Sequence, residues 1–287
     1  MTEREGRFKY IDDLSLCHSI DLCDLKPFSS EMEKPLNYRD RTSHYLPSDK
    51  NPLQKSFNNV HNFCQIQKCL INDKKSKTVI FNTSYTKDFT PRILNNTGTL
   101  YDNTENFQLL GVDFETDKKK GLTLDNYINR CIQKAYANMW MLRRLAELGI
   151  SPEQLLITYL ARIRVLVEQN VPLWMFGLTK KMANKIEKVQ KIALYVILGN
   201  HAHKDYVCNQ AILNIESLED RRNTIAKNFA TKVLKHPEHR KIFNITVTEG
   251  TRSGKRIVEP FTRRARYAKS TIPSLAKMIN NDLSHKL

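Results

Sequence analysis

The chain has 287 residues, 40 % of them hydrophobic, with nine glycines and ten prolines; this allows one large domain or two medium ones and excludes a fibrous or linker-dominated protein. No run of about 18 apolar residues occurs, and Met1-Thr2-Glu3-Arg4-Glu5 lacks the basic-then-apolar pattern of a secretory signal, so neither a helical membrane span nor export is expected. The net charge of +16 is lopsided: residues 1–120 carry 18 Lys and Arg against 17 Asp and Glu, whereas residues 121–287 carry 28 against 13. A field of that kind suits a polyanion. Nucleic acid is the first expectation, with an anionic membrane surface and plain solubility as the other readings. Six cysteines without a secretory signal read as reduced thiols of an intracellular protein, nuclear or cytoplasmic.

In chain order, residues 8–23 read as a strand hairpin. Phe8-Lys9-Tyr10-Ile11-Asp12-Asp13-Leu14-Ser15-Leu16 places two adjacent carboxylates at a turn between two short apolar strands. Such hard oxygen ligands can clamp Mg²⁺ ions, although Asp pairs also occur at turns because the side chain bonds its own backbone. Residues 24–56 hold Pro27, Pro35, Pro47 and Pro52 among Ser, Asn and charges without a sustained period, and read as a loop or disordered insert reaching to about residue 60. Leu53–Leu70 carries a weak helical pattern. Lys77–Asn82 and Gln108–Phe114 read as strands joined through Asn95-Asn96-Thr97-Gly98.

After Gly121 the pattern turns helical, with clear boundary signals. Leu124–Leu148 has apolar residues at helical spacing and stops at Gly149. Ser151 then caps a second helix with Pro152 at its first position, Gln154 three residues after the cap, and Ile150 and Leu155 placed as a hydrophobic staple. Thr179 caps a third helix that runs to Leu198 and ends at Gly199, and Ser217 caps a fourth with Asp220 in the capping-box position. On the third helix Met182, Ile186, Val189, Ala193 and Ile197 form an apolar stripe, while Lys181, Lys185 and Lys188, with Lys180 and Lys191 close by, line a neighbouring face. That lysine face is either solvated or in contact with duplex phosphates; phosphate contact would position without reading sequence. From His236 on, 11 Lys and Arg stand against 4 Asp and Glu. There Arg263-Arg264-Ala265-Arg266-Tyr267 and Phe261 interleave rings with arginines, which fits nucleic-acid binding, a nuclear-localisation patch or a solubilising tail equally.

Other chemistry is thinly represented. Cys17, His18 and Cys23, and again His61, Cys64 and Cys69, lack the paired spacing of zinc sites and read as thiols. His203-Lys204-Asp205 with His236 or His239 superficially fits a two-histidine-one-carboxylate triad, but it follows a helix rather than lying on a barrel strand. No Gly-rich phosphate loop, nucleophile elbow or His-Glu-x-x-His motif occurs.

The ordered series does carry a resemblance. Tyr10-Ile11-Asp12-Asp13 is followed by Leu70-Ile71-Asn72-Asp73, Phe107-Gln108-Leu109-Leu110-Gly111-Val112-Asp113-Phe114 and Leu142-Arg143-Arg144-Leu145. Then come Glu168-Gln169-Asn170-Val171-Pro172-Leu173-Trp174, Ile186-Glu187-Lys188-Val189-Gln190-Lys191-Ile192-Ala193 and Leu218-Glu219-Asp220-Arg221-Arg222. In this order and spacing, from about residue 8 to Ile272-Pro273-Ser274-Leu275, the chain resembles the C-terminal half of a reverse transcriptase from non-LTR (LINE-like) retrotransposons.

The resemblance implies an α+β architecture. Residues 1–120 would be a remnant of the palm with the insert at 24–60, residues 121–235 a helical thumb-like domain, and residues 236–287 a loosely ordered basic tail. It implies an RNA-directed DNA polymerase in which Asp12 and Asp13 are catalytic carboxylates holding Mg²⁺. The partner implied is an RNA/DNA primer–template duplex, with dNTP the only small-molecule substrate of the parent enzyme and no membrane involved. Lys180, Lys181, Lys185, Lys188, Lys191, Arg263, Arg264 and Arg266 would contact nucleic acid. Because the family's further catalytic aspartate lies well upstream of the Tyr-x-Asp-Asp turn, the expectation is a frame truncated at its N-terminus, with an incomplete metal site and no activity alone. The alternative is a non-catalytic basic helical module that binds nucleic acid. Leu109–Leu148 also looks like a short helical module at the N-terminus of an AlkB-type RNA-modifying family; such a module carries no oxygenase or methyltransferase chemistry.

Overall fold

The structure, a computed structural model, describes residues 26–27, 44–45, 52–79, 93–95, 98–117, 121–243, 245–251, 254–262, 268 and 270–284. It is mostly helical with one three-stranded antiparallel sheet, an α+β protein. The chain divides into two units, Met1–Tyr127 and Ile128–Leu287, and the boundary falls inside the first turn of a helix. Among the described residues no helix is long and apolar enough to cross a membrane.

In the first unit, β1 (Lys26–Pro27) pairs antiparallel with β2 (His44–Tyr45). Helix α1 (Pro52–Ile66) follows, in the place the weak helical pattern gave it. Its Gln54 is buried and acts as a piece of strand: its amide donates to Leu94 O at 3.0 Å and accepts from Leu94 N at 2.8 Å. A second polar tie gathers around Asp73, whose carboxylate accepts from Tyr101 Oη and from Asn95 Nδ2. Burial, then the Asp73 hydrogen bond, raises the Tyr101 pKa well above its ordinary value.

The sheet has the order β3 (Asn106–Leu109), β4 (Val112–Asp117), β5 (Gly121–Thr123). Between β3 and β4 the chain reverses at Leu110 and Gly111, with φ of 48° and 79°. Two successive left-handed residues make a turn whose twist matches that of the flanking strands, and Phe107 and Phe114 stack across the pair at 5.0 Å. This corrects the reading of Gln108–Phe114 as extended throughout. Of Lys77–Asn82, the described part is no strand: Thr78 makes a single isolated bridge, with Asn103, and residues 80–82 lie outside the described residues.

The second unit is helical. Helix α2 (Asp125–Glu147) ends in a glycine-based cap: Gly149 takes φ of 76°, its N–H donates to Ala146 O at 3.0 Å, and Ile150 N donates to Leu145 O at 3.2 Å. Ser151 then accepts from Gln154 N and starts α3 (Pro152–Tyr159). The rod continues through a π turn (Leu160–Arg164) into α4 (Val165–Glu168). The reason lies in the sequence. Leu155, Tyr159, Ile163 and Val167 are all buried at intervals of four, a spacing that drifts by about 40° per step around a regular α-helix. One wider turn brings the stripe back onto a single face.

Asn170, left-handed at φ of 54°, leads into α5 (Val171–Trp174), and the indole N–H of Trp174 donates to Gln169 O at 2.8 Å. Then follow α6 (Lys180–Leu198), α7 (Tyr206–Ile212) and α8 (Leu218–Lys235). Thr179 accepts from Met182 N at 3.2 Å, and Ser217 accepts from Asp220 N at 3.0 Å while its hydroxyl donates to the Asp220 carboxylate at 2.6 Å. The caps read from the sequence are therefore made as expected.

The segment from His236 departs from expectation. In place of a loosely ordered tail, it forms α9 (Pro237–Ile242), a hairpin of β6 (Val247–Thr251) and β7 (Gly254–Ile257), and α10 (Thr271–Ser284). Leu275 of α10 is buried with Ala226 and Ala230 of α8, and Phe229, Met278 and Ile279 pack on that cluster. Asn280 clasps Ile257 through both backbone groups, at 3.0 Å each. Thr271 Oγ1 donates to Pro172 O at 3.2 Å. Ile272, Leu275 and Ile279 recur at helical spacing, with Leu275 buried and the two isoleucines partly so.

Candidate nucleic-acid interface

The candidate site is built on α6, whose two faces have different chemistry. Met182, Ile186, Val189, Ala193, Leu194 and Ile197 are buried, and the stripe read from the sequence is the core face. Lys180, Lys181, Lys185, Lys188 and Lys191 are all exposed. At 3.6 residues per turn they share one sector of about 140° on the opposite side. No described carboxylate lies within ion-pair distance of any of the five. Lys180 and Lys181 stand in the first turn, where the helix dipole disfavours cations, and no acidic residue accompanies them there. Among the described residues, five ammonium groups without an ion-pair partner thus stand along one helix face.

What holds the rod is a polar node on its buried side. Gln190, at 0 % exposure, accepts from Tyr159 Oη at 2.7 Å, and its amide nitrogen donates to Tyr206 Oη and to Glu216 O, each at 2.8 Å. Tyr206 in turn donates to Glu187 Oε1 at 2.6 Å, and that oxygen also accepts from Leu218 N at 3.1 Å. Four elements (α3, α6, α7 and α8) are thereby tied at one point. Burial pushes the Tyr159 pKa well above its ordinary value, and burial followed by the hydrogen bond to Glu187 does the same to Tyr206. Arg222 is buried beside them; desolvation lowers its pKa against the opposing pull of Glu187, Glu219 and Tyr206. Its Nη1 has no hydrogen-bond partner among the described residues. A second tie joins the π turn to α8: Glu168 Oε1 lies 3.2 Å from both Arg164 Nε and Arg221 Nε.

The sequence reading missed this node. Gln190 falls inside the apolar sector between Ile186 and Ala193, and a buried amide must be hydrogen-bonded; that misplaced polar residue was the available signal. The other expected site residues fall elsewhere. Tyr10, Asp12, Asp13, Arg263, Arg264 and Arg266 lie outside the described residues, as do Cys17, His18 and Cys23. Among the described residues no group of three His, Cys, Asp or Glu is arranged to hold a metal ion. His203 accepts Asp205 N–H on its Nδ1 at 3.0 Å, which commits its ring to a local turn, while His236 and His239 face each other at 5.0 Å. Comparison with protein-family models, with curated proteins and with solved structures finds no match to this chain.

Proposed function

We propose that the chain derives from a non-LTR retrotransposon RNA-directed DNA polymerase, and that its helical unit holds primer–template duplex by contacts to phosphate that read no sequence. The observation that carries the binding part is the lysine face of α6, five exposed ammonium groups without a carboxylate partner among the described residues. Charge supports it: residues 128–287 hold 28 Lys and Arg against 12 Asp and Glu, the whole net charge of the chain. The polymerase ancestry rests on the Tyr10-Ile11-Asp12-Asp13 turn and the ordered motifs after it. Asp12 and Asp13 are the carboxylates that ancestry assigns to Mg²⁺; they lie outside the described residues, and duplex binding needs neither.

Each phosphate neutralised releases condensed counterions, so binding through five lysines is steeply salt-dependent. The slope of log K against log salt is expected to be about −4 to −5. Titration of a labelled duplex at several salt concentrations measures it. Replacing Lys181, Lys185 and Lys188 with Gln should flatten the slope by about 3 while leaving the fold intact. Absent affinity at low salt, or a flat salt response, would refute the interface.

A non-catalytic basic helical module is the second reading, favoured by the caps and core that the helical unit supplies for itself. Under either reading, Asp12→Asn combined with Asp13→Asn leaves duplex affinity unchanged. Mg²⁺-dependent primer extension that this double variant abolishes would decide for polymerase ancestry with retained activity.

A further inference from the structure

The outward face of α2 carries a feature that the lysine interface does not use. Ile128, Cys131, Ile132, Ala135, Met139 and Leu142 take the buried side of the helix. On the other side Tyr136 and Trp140, one turn apart, are exposed at 37 % and 65 %. Arg143 and Arg144, three and four residues after Trp140, continue the same exposed face. The Arg144 guanidinium sits 5.7 Å from the Trp140 ring centroid, and its Nη1 reaches Glu147 Oε2 at 2.8 Å, with both side chains 62 % exposed. That ion pair is solvated, so a competing phosphate can take the arginine at small cost. Nothing in the helix requires an indole at position 140, since the core lies on the opposite side. Flat aromatic faces a turn apart, flanked by two arginines against one carboxylate, match the chemistry of unpaired nucleobases on a phosphate backbone: rings stack on bases while cations track phosphates.

We propose that Trp140 and Tyr136, with Arg143 and Arg144, form a stacking platform for the unpaired bases of single-stranded nucleic acid. The platform rests on the nucleic-acid reading above but is separate from the lysine face, which needs only phosphates and so suits duplex. Its occupant is a single strand because a duplex keeps its base faces covered.

The chain contains two tryptophans, and the other, Trp174, is 5 % exposed with its indole N–H bonded to Gln169 O. Emission from the full-length protein therefore separates an accessible Trp140 from a sheltered reference. An oligothymidylate of about ten nucleotides is titrated into the wild type, Trp140→Ala and Trp140→Phe, alongside an abasic strand of the same length. Quenching of the Trp140 emission by oligothymidylate and not by the abasic strand is expected. Affinity should fall about tenfold in Trp140→Ala and largely recover in Trp140→Phe, which keeps a stacking ring.

Equal affinity in Trp140→Ala, or equal quenching by the abasic strand, would overturn the platform. Concentration-dependent self-association that Trp140→Ala removes, with no response to oligothymidylate, would assign the stripe to a second copy of the chain and overturn it too. Duplex binding by the Lys181, Lys185 and Lys188 interface that survives while the oligothymidylate response is absent sinks the platform alone. Loss of binding to every nucleic acid sinks both.

Discussion

The two units of the chain hold themselves together by different means. In the helical unit, residues from all along the segment are driven to full burial; the largest fully buried side chains among the described residues, from Met139 to Leu218, lie there. In the first unit the described apolar burial is confined to Ile93, Val112 and Tyr127, while Phe63, Ile66 and Leu70 of α1 and the segment after it are exposed. The described residues of that unit are joined instead by amide and carboxylate ties, Gln54 to Leu94 and Asp73 to Tyr101. A hydrogen bond exchanged with water contributes about 1 kcal/mol net, whereas a buried Leu or Ile contributes about 1.5–3 kcal/mol. The helical unit is therefore the body in which apolar burial carries the stability of the described residues. A binding surface of the kind proposed for α6 needs a firm support, and the buried face of α6 supplies one.

The sharpest way to break this contrast is at Gln190. Gln190→Leu removes three hydrogen bonds at once and leaves the buried Tyr159 Oη without its partner, while Tyr206 Oη keeps its bond to Glu187. A loss of about 2–3 kcal/mol is expected. Urea unfolding followed by tryptophan emission reads it cleanly, because Trp140 and Trp174 both belong to the helical unit. The matching change in the first unit, Gln54→Ala, should leave that transition where it was. A Gln190→Leu midpoint within error of the wild type would remove the node from the account of stability.

Alkaline pH offers an intermediate effect. Tyr159 and Tyr206 keep their protons more tightly when folded than their ordinary value of 10 provides, because burial disfavours the phenolate. A raised folded pKa contributes stability that is fully present below the unfolded value and is lost as pH rises through the folded one. Stability of the helical unit should thus be flat in this respect up to about pH 10 and decline above it. Tyr206→Phe should make the alkaline limb shallower, at a cost of about 1 kcal/mol at neutral pH. Unfolding curves collected across pH 8–11 test this; an alkaline limb as steep in the variant as in the wild type would contradict it.

Smaller effects sharpen the picture at the edges. Ser217→Ala removes the reciprocal cap with Asp220 and should cost about 1 kcal/mol in the tryptophan-detected transition. Lys185→Gln should move it by less than about 0.5 kcal/mol, since the side chain is exposed and unpaired among the described residues, yet it should measurably weaken duplex binding. A lysine variant that lost stability and binding together would show that the face is structural.

What could be read from the sequence follows the distance over which each feature is decided. The cap at Gly149, the start at Ser151 and Pro152, the cap at Thr179 and the Ser217–Asp220 box were all legible, because a cap is made by residues three or four apart. The lysine and apolar faces of α6 were legible for the same reason, being a matter of period. The Gln190 node was not, since its partners stand 31, 16 and 26 residues away. The β3–β4 turn hid because Leu110, an apolar residue, takes the left-handed conformation that sequence reading reserves for Gly or Asn. The order of the C-terminal segment was not legible because charge dominates its composition, while the residues that pack against Leu275 and Ile279 belong to α8, some 45 residues earlier in the chain.

The π turn at Leu160–Arg164 has a consequence for how this gene can change. It houses one residue more than a regular α-helix would need between Tyr159 and Val165. Loss of a single codon there, Ala161 for instance, would convert the strict interval of four into the alternation of three and four that an ordinary helix accepts. Most single-codon deletions inside a buried helix rotate everything downstream out of register, but at this point the rotation is already stored in the backbone. Length variants of this rod should accordingly be tolerated at residues 160–164, and selected against in α6, where no such slack exists.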